Sequence, residues 1–261
     1  MNRALLTALC HVALAGCDRK PASSPPVTGA AAAASQLATR GFTIPTSTKQ
    51  LVTAIVDDWS ATHARVALWQ RTATGWQRTG DEWPAVIGKS GAAWGTGMHP
   101  MGGEGPTKHE GDLKSPAGVF AFRTAYGYAD EPPKGWRMPY EASADLECID
   151  DPGSEHYTKI VDRKQVASDW ESAEQMRRDD ALYEWVLDVA HNADAKPSGG
   201  SCIFLHVWSG PESTTAGCTA MDKAKLEGLL ANLDPASRPL FVLLPKAEYS
   251  AVASAWGLPA Q

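Results

Sequence analysis

The chain has 261 residues, a net charge of −6 and 43% hydrophobic residues, enough for one globular domain with a real core plus a tail. The acidic balance, with no stretch of clustered Lys and Arg, argues against a nucleic-acid surface. Beyond the N-terminus no apolar run approaches the ~20 residues that span a bilayer. Ten tryptophans suit core and rim packing before they suit sugar stacking.

Residues 1–16 have the form of an export signal. Arg3 supplies a positive charge and "ALLTALCHVALAG" a short apolar region. The end of that region, Leu14-Ala15-Gly16-Cys17, resembles a bacterial lipobox. The resemblance implies cleavage before Cys17 and acylation of its thiol; an ordinary signal peptide that ends in Cys is the alternative. Asp18, next to the lipidated Cys, resembles an inner-membrane retention signal. Residues 17–41 are rich in Ala, Pro, Ser and Gly and lack the apolar pattern of a core, so they read as a tether. The folded domain is then 42–261. Its expected place is the bacterial periplasm or cell envelope, lipid-anchored to a membrane.

"QLVTAIVDD" (residues 50–58) and "ARVALWQR" (64–71) read as strands joined by a short turn, and "GWQRTGDEWPAVIG" continues the pattern. Two glycine-rich segments follow, 88–97 and 102–111. Gly88-Lys89-Ser90 fails as a phosphate loop, because the first glycine of that motif would fall on Trp83 and no helix follows. "GDLKSPAGVFAFRTAYGY" reads as a Pro-Gly turn feeding an aromatic strand. Residues 165–182 are compatible with a helix, with Trp170, Ala173 and Met176 at i, i+3 and i+6. In "YEWVLDVAHN", Tyr183, Trp185, Leu187 and Val189 alternate on one face, and "SCIFLHVW" is the partner strand. Leu226, Leu229, Leu230 and Leu233 mark a helix face, and "PLFVLLP" is a last strand. The sum is a mostly β domain with one or two helices.

Of five cysteines, Cys10 leaves with the signal and Cys17 takes lipid. Cys148, Cys202 and Cys218 remain, and an odd count in an exported domain suggests one disulfide and one free thiol. Cys202 lies among Ile203, Phe204 and Leu205, a setting for a buried bridge with Cys148. Cys218 follows Thr215-Ala216-Gly217. Thr219 and Asp222 have capping-box-like spacing, which predicts a helix N-terminus beside the Cys218 thiol. There the dipole and free N–H groups would favour thiolate and hold an oxyanion, and Gly217 would let substrate approach. A thiol nucleophile needs a base. His206 ends the preceding strand, though spacing alone fits a core or capping histidine equally well. His99 is a further candidate for the cleft. Zinc is disfavoured: Cys202 and His206 on a regular strand are roughly 13 Å apart, no Cys-x-x-Cys or His-Glu-x-x-His occurs, and no metal or cofactor is expected.

"FLHVW…TTAGCTAM" resembles the signature of the YkuD-type L,D-transpeptidases, a strand-borne His, a loop, then Ser/Thr-His-Gly-Cys. "EGDLKSPAGVFAF" resembles the family's upstream Gly-Asp-x-x-Thr/Ser-Pro-x-Gly-x-Phe, and "CIDDPGSEHY" and "AEQMRRDDALYEW" resemble a divergent branch. The resemblance covers about residues 50–245. It implies a β-sandwich catalytic domain, Cys218 as nucleophile, His206 as base, and Thr215 and Gly217 as supporting residues. The implied partner is a peptidoglycan stem peptide and the reaction acyl transfer through a Cys thioester. If water resolves the thioester, the enzyme is an L,D-carboxypeptidase. A catalytically silent wall-binding lipoprotein is the reading from another class. The family's His before Gly-Cys is Ala216 here, and the Arg or Asn two after the Cys is Ala220, both expected beside the substrate path.

Overall fold

The apolar runs between turn residues build three antiparallel neighbours, β1 (Gln50–Val56), β2 (His63–Thr72) and β3 (Gly75–Val86). They open a computed structural model that describes residues 41–101 and 103–261. The export signal, Cys17 and the tether fall outside the described residues, apart from Gly41. No helix among the described residues is long and apolar enough to cross a membrane.

The remaining strands are β4 (Ala92–Trp94), β5 (Ser115–Gly127), β6 (Tyr140–Ala142), β7 (Leu146–Ile149), β8 (Ile160–Asp162), β9 (Ala173–Gln175), β10 (Trp185–Val189), β11 (Phe204–Val207), β12 (Thr219–Met221) and β13 (Leu240–Pro245). The large sheet runs β10-β11-β12-β3-β2-β1-β13-β5, and β5 pairs back onto β10, so eight strands close on themselves as a barrel; β4 and β6 hang on β5. The mostly β expectation holds, and the large sheet closes as one barrel in place of two stacked sheets. Eight strands enclose an interior just wide enough for side chains to fill. Leu187, Val189, Leu205, Val207 and Met221 belong to this main core. β1 and β13 are buried throughout, as expected for strands covered on both faces.

Two helices flank the barrel. α1 (Lys223–Asn232) buries Leu226, Leu229 and Leu230, and Leu233 caps its end. α2 (Lys246–Trp256) buries Tyr249, Val252 and Trp256 and lies against β13 and β1.

Two expectations change here. Residues 165–182 form no helix. Ala173–Gln175 is instead the edge strand β9 of a small sheet ordered β8-β7-β9. Only Met176 of the expected helical stripe is buried, and its N–H goes to Leu146 O (3.0 Å). The Glu147 carboxylate collects Trp170 Nε1 (3.2 Å), Arg163 Nη1 (3.4 Å) and Gln175. Pairing across the sheet thus wins over a weak local stripe. Likewise Pro116 and Gly118 lie inside β5, and the turn that precedes it falls earlier, at Glu110 and Gly111. Gly118 sits at φ +140°, and a Cβ there would stand 1.8 Å from the His99 ring.

Gly118→Ala should therefore destabilise the fold by more than about 1 kcal/mol, since both the backbone and the space reject a methyl group. Urea unfolding should show a lower midpoint at unchanged slope; an unchanged midpoint would contradict the packing described.

Candidate active site

Strand alternation puts Leu205 and Val207 in the barrel core and turns Phe204 and His206 outward. β11 and β12 are parallel, with Leu205 level with Thr219 and His206 level with Ala220. Cys218 therefore stands level with Phe204, on the outward face. With strands ~4.8 Å apart and ~3.3 Å rise per residue, its backbone is roughly 8 Å from that of His206. The small sheet covers this outward face. Phe204, Val186, Tyr126 and Cys218 from the barrel side meet Leu146, Cys148 and Met176 from the small sheet in a second apolar cluster that also holds Tyr183. Tyr183 was expected on the face of Trp185, Leu187 and Val189; it precedes β10 and joins this cluster instead.

Between the two layers runs a cleft of about 620 Å³ that Cys218, His206, Gly217, Thr215 and Ala216 all line. The structure thus brings together every cleft residue named from the sequence except His99, which is 4% exposed and packs among Trp94, Phe120 and Trp256 in the main core. Ala220 is buried in β12 and does not reach the cleft.

The expected helix N-terminus at Cys218 is absent. Thr219 begins β12, pairing with β11 while Ala220 and Met221 pair with β3, and Asp222 caps α1, accepting from Ala224 N and Lys225 N. Two strand partners hold Thr219–Met221 extended, and an Asp three residues later caps equally well. Dipole activation of the thiol falls with the helix. Burial instead pushes the Cys218 thiol up, aided by the Glu174 carboxylate. Burial drives the His206 imidazole down to about 4. Thiol and imidazole are both neutral near pH 7.

Their hydrogen bonds run elsewhere. Cys218 Sγ–H donates to Cys202 O (3.4 Å), and Phe204 N–H donates to Sγ (3.3 Å). His206 Nδ1 faces Val207 O (2.8 Å), so Nδ1 carries the proton. No direct hydrogen bond joins the two side chains. The Gly217 N–H, expected at the oxyanion, is bonded to Thr215 Oγ1 (3.1 Å).

The Cys218 carbonyl is clamped by two hydroxyls, Thr215 Oγ1 at 2.7 Å and Ser115 Oγ at 3.0 Å. Ser115 also accepts Gly88 N–H (3.0 Å), and Thr215 bridges to Gly88 in the backbone. The upstream Lys-Ser-Pro motif thus reaches the Cys218 backbone. Sequence reasoning passed over Ser115 as a site residue, though the motif contained it. It also passed over Tyr183, Glu174 and Arg178, which line the cleft. Arg178 grips Asp180 through Nε (3.0 Å) and Nη2 (2.8 Å) and lies over the Tyr183 ring.

Cys148 and Cys202 are bridged, with Cα atoms 5.9 Å apart, and among the described residues Cys218 is the free thiol. Cys202 adopts φ +52°, so it is not part of a regular strand. The bridge links β7 of the small sheet to the segment whose carbonyl accepts the thiol hydrogen. Elsewhere, Glu155, His156 and Asp169 bring ligand-type atoms within 4.8 Å of one another, but Asp169 is already held by Ser154 Oγ and Glu155 N–H.

No protein-family model and no curated protein matches the chain. Among solved structures it is similar to the crystal structure of the helical cell shape determining protein Pgp2 from Campylobacter jejuni, at 13% identity and a TM-score of 0.37, over 85% of this chain. The match spans 59% of the length of that protein, and a likeness this distant carries no argument about fold or function.

Two predictions come from this site. Non-reducing peptide mapping should recover a Cys148–Cys202 linked peptide with Cys218 alkylated after unfolding. Reduction should cost about 4 kcal/mol for a loop spanning 54 residues in the chain-entropy account. Three alkylated thiols would refute the bridge.

Stability should also fall with acid. Burial holds His99, His191 and His206 at about 4, below the ordinary 6.5. The unfolded chain therefore binds more protons, and stability present above pH 6.5 is lost as pH falls towards 4. Asp188, raised to about 6 by burial, opposes this between pH 6 and 4, as do Glu174 and Glu248, which burial also raises; Asp58, Asp151, Asp169 and Asp180, held low by hydrogen bonds, act with the three histidines. Urea unfolding at pH 7 and pH 4.5 should differ by at least about 1 kcal/mol, the worth of a single pKa unit; equal stabilities would deny the buried neutral histidines.

Proposed function

We propose that the chain is a cysteine-dependent L,D-transpeptidase acting on peptidoglycan stem peptides. The observation that supports this best is the free thiol of Cys218 at the inner wall of a cleft, its carbonyl clamped by hydroxyls from both motifs that resemble the family, Ser115 and Thr215. The Cys218 sulfur attacks the carbonyl of the L-centred third residue, the amide C–N bond breaks, and the terminal D-amino acid leaves. His206 is the base and acid of this reading. Its distance from Cys218 is bridgeable, and catalytic hydrogen bonds often tighten only in the substrate complex. A side-chain amine of a second stem then resolves the thioester. Water in its place gives an L,D-carboxypeptidase on the same scaffold, and product analysis separates the two. We extend the proposal to location: a lipid on Cys17 and a tether hold the domain at a membrane of the cell envelope, the inner one by Asp18.

A second reading, a catalytically silent wall-binding lipoprotein, is favoured by one observation. The thiol is 7% exposed and uncharged, without a hydrogen bond to His206. Reactivity of the thiol decides between them.

A carbapenem lactam is a strained amide, and the resemblance implies that it traps the cysteine as a slow thioester. Intact-mass kinetics on wild type should show one adduct, absent from Cys218→Ala. His206→Ala should acylate about 10²–10⁴-fold more slowly, the usual loss for a general acid–base group. An adduct persisting in Cys218→Ala would place the nucleophile elsewhere. A wild-type chain that never forms one would leave the silent module.

A further inference from the structure

A second pocket, of about 410 Å³, shares no lining residue with the cleft of Cys218. It forms between β5, the start of β13 and the segment that leads into β1; Phe122, Leu240 and Pro45 all line it. Its wall contains four prolines, Pro45, Pro139, Pro235 and Pro239. A proline has a fixed φ and no N–H, so this wall is stiff and poor in donors. Met98 lines the same pocket and is 45% exposed, the most exposed large apolar side chain among the described residues. A preformed apolar concavity with a few polar groups is the usual form of a small-molecule site.

Two of its polar groups lack partners. Thr48 is 2% exposed, yet among the described residues its hydroxyl makes no hydrogen bond; only its N–H does, to Pro45 O (3.0 Å). The hydroxyl is not sealed into the core either, so it opens on the pocket that Thr48 lines. A buried hydroxyl without a partner costs stability, which a ligand oxygen would recover. Arg238 also lines the pocket, and among the described residues its guanidinium has no partner. Its backbone is held in the left-handed region at φ +46° by an N–H bond to Pro235 O (3.0 Å), a strained conformation for a residue with a side chain. Beside it Lys49 N–H donates to Ser237 O (2.7 Å), and the Lys49 ammonium holds the Thr46 carbonyl (2.8 Å) and no carboxylate. The carboxylates of these elements are engaged, Asp188 by Arg123 (3.3 Å) and Asp234 by Arg137 (3.2 Å). In a chain of net charge −6, this rim keeps two cations without a counter-charge.

We propose that this pocket binds a small amphipathic carboxylate, one anionic head on an aliphatic body. A volume of 410 Å³, at roughly 30 Å³ per water-sized group, sets its size at about a dozen non-hydrogen atoms. The head takes the Arg238 guanidinium, whose fork matches two carboxylate oxygens, and the Thr48 hydroxyl donates to the same head. The body displaces water from the prolines, Phe122 and Met138. The unpaired cations favour a carboxylate over a neutral head and repel a cationic one. The site requires neither Cys218 nor any reading of the cleft.

Decanoate, a carboxylate of that size, is the probe, kept below its micelle concentration. Titration calorimetry on the full chain should show saturable one-to-one binding, with decanol about tenfold weaker and decylammonium unbound. Arg238→Gln should weaken decanoate about tenfold and leave decanol unchanged, as expected for a lost hydrogen bond between charged groups. Thr48→Val keeps the shape and should weaken decanoate about three- to tenfold, the worth of one hydrogen bond. Its urea midpoint should not fall, because no bond inside the fold is lost; a lower midpoint would mean that the hydroxyl already has a partner. Met98→Asp, at an exposed position, should weaken decanoate more than decanol. Equal affinity for decanoate and decanol, wild-type affinity in both Arg238→Gln and Thr48→Val, or the absence of saturable binding would overturn the site. So would binding to anionic phospholipid vesicles that Arg238→Gln abolishes while decanoate never binds, since the face would then be a membrane contact.

Discussion

The burial of one thiol between two sheets organises the rest of the molecule. The inside of this eight-stranded barrel is filled by core side chains, and the cleft lies on its outer wall. Here the outward face of β10 and β11 is apolar enough to need covering, and the small sheet supplies the cover through Met176, Leu146 and Cys148. The Cys148–Cys202 bridge makes that cover part of the site. It anchors β7 to the residue whose carbonyl accepts the Cys218 hydrogen. Cleft, cover and thiol therefore depend on one contact surface.

That position sets the electrostatics. A helix terminus would offer a thiolate the positive end of a dipole. The wall of a barrel offers backbone groups already engaged in ladders, so the thiol stays protonated and the imidazole stays neutral. Tyr183, Glu174, Arg178 and Lys108 line the same cleft as the thiol.

The back of the site is rigid for a different reason. Ser115 and Thr215 are far apart in sequence, yet both donate to the same carbonyl oxygen. Both also touch Gly88, so the rejected phosphate-loop triplet serves as a bracket holding two motifs together. A Cβ at Gly88 would come 2.5 Å from Leu113 O, so the bracket has room only for glycine.

The sequence by itself determined the elements whose signal is local. Apolar runs bounded by turn residues located β1, β2 and β3, and period-two alternation located β10 beside the strand that carries His206. The leucine spacing located α1, and the cysteine count with the setting of Cys202 singled out a pair and a free thiol. What it could not determine depends on partners distant in the chain. The stripe at Trp170, Ala173 and Met176 fits a helix until β7 offers a ladder. The Thr219 cap fits until two strands claim it. Barrel closure through β5 and β10, the clamp of Ser115 on Cys218, and the meeting of Tyr183 with Glu174 are all contacts across sheets or between them. Their energies come from desolvation and hydrogen bonds that exist only once the chain has folded, and no spacing rule along the sequence encodes them.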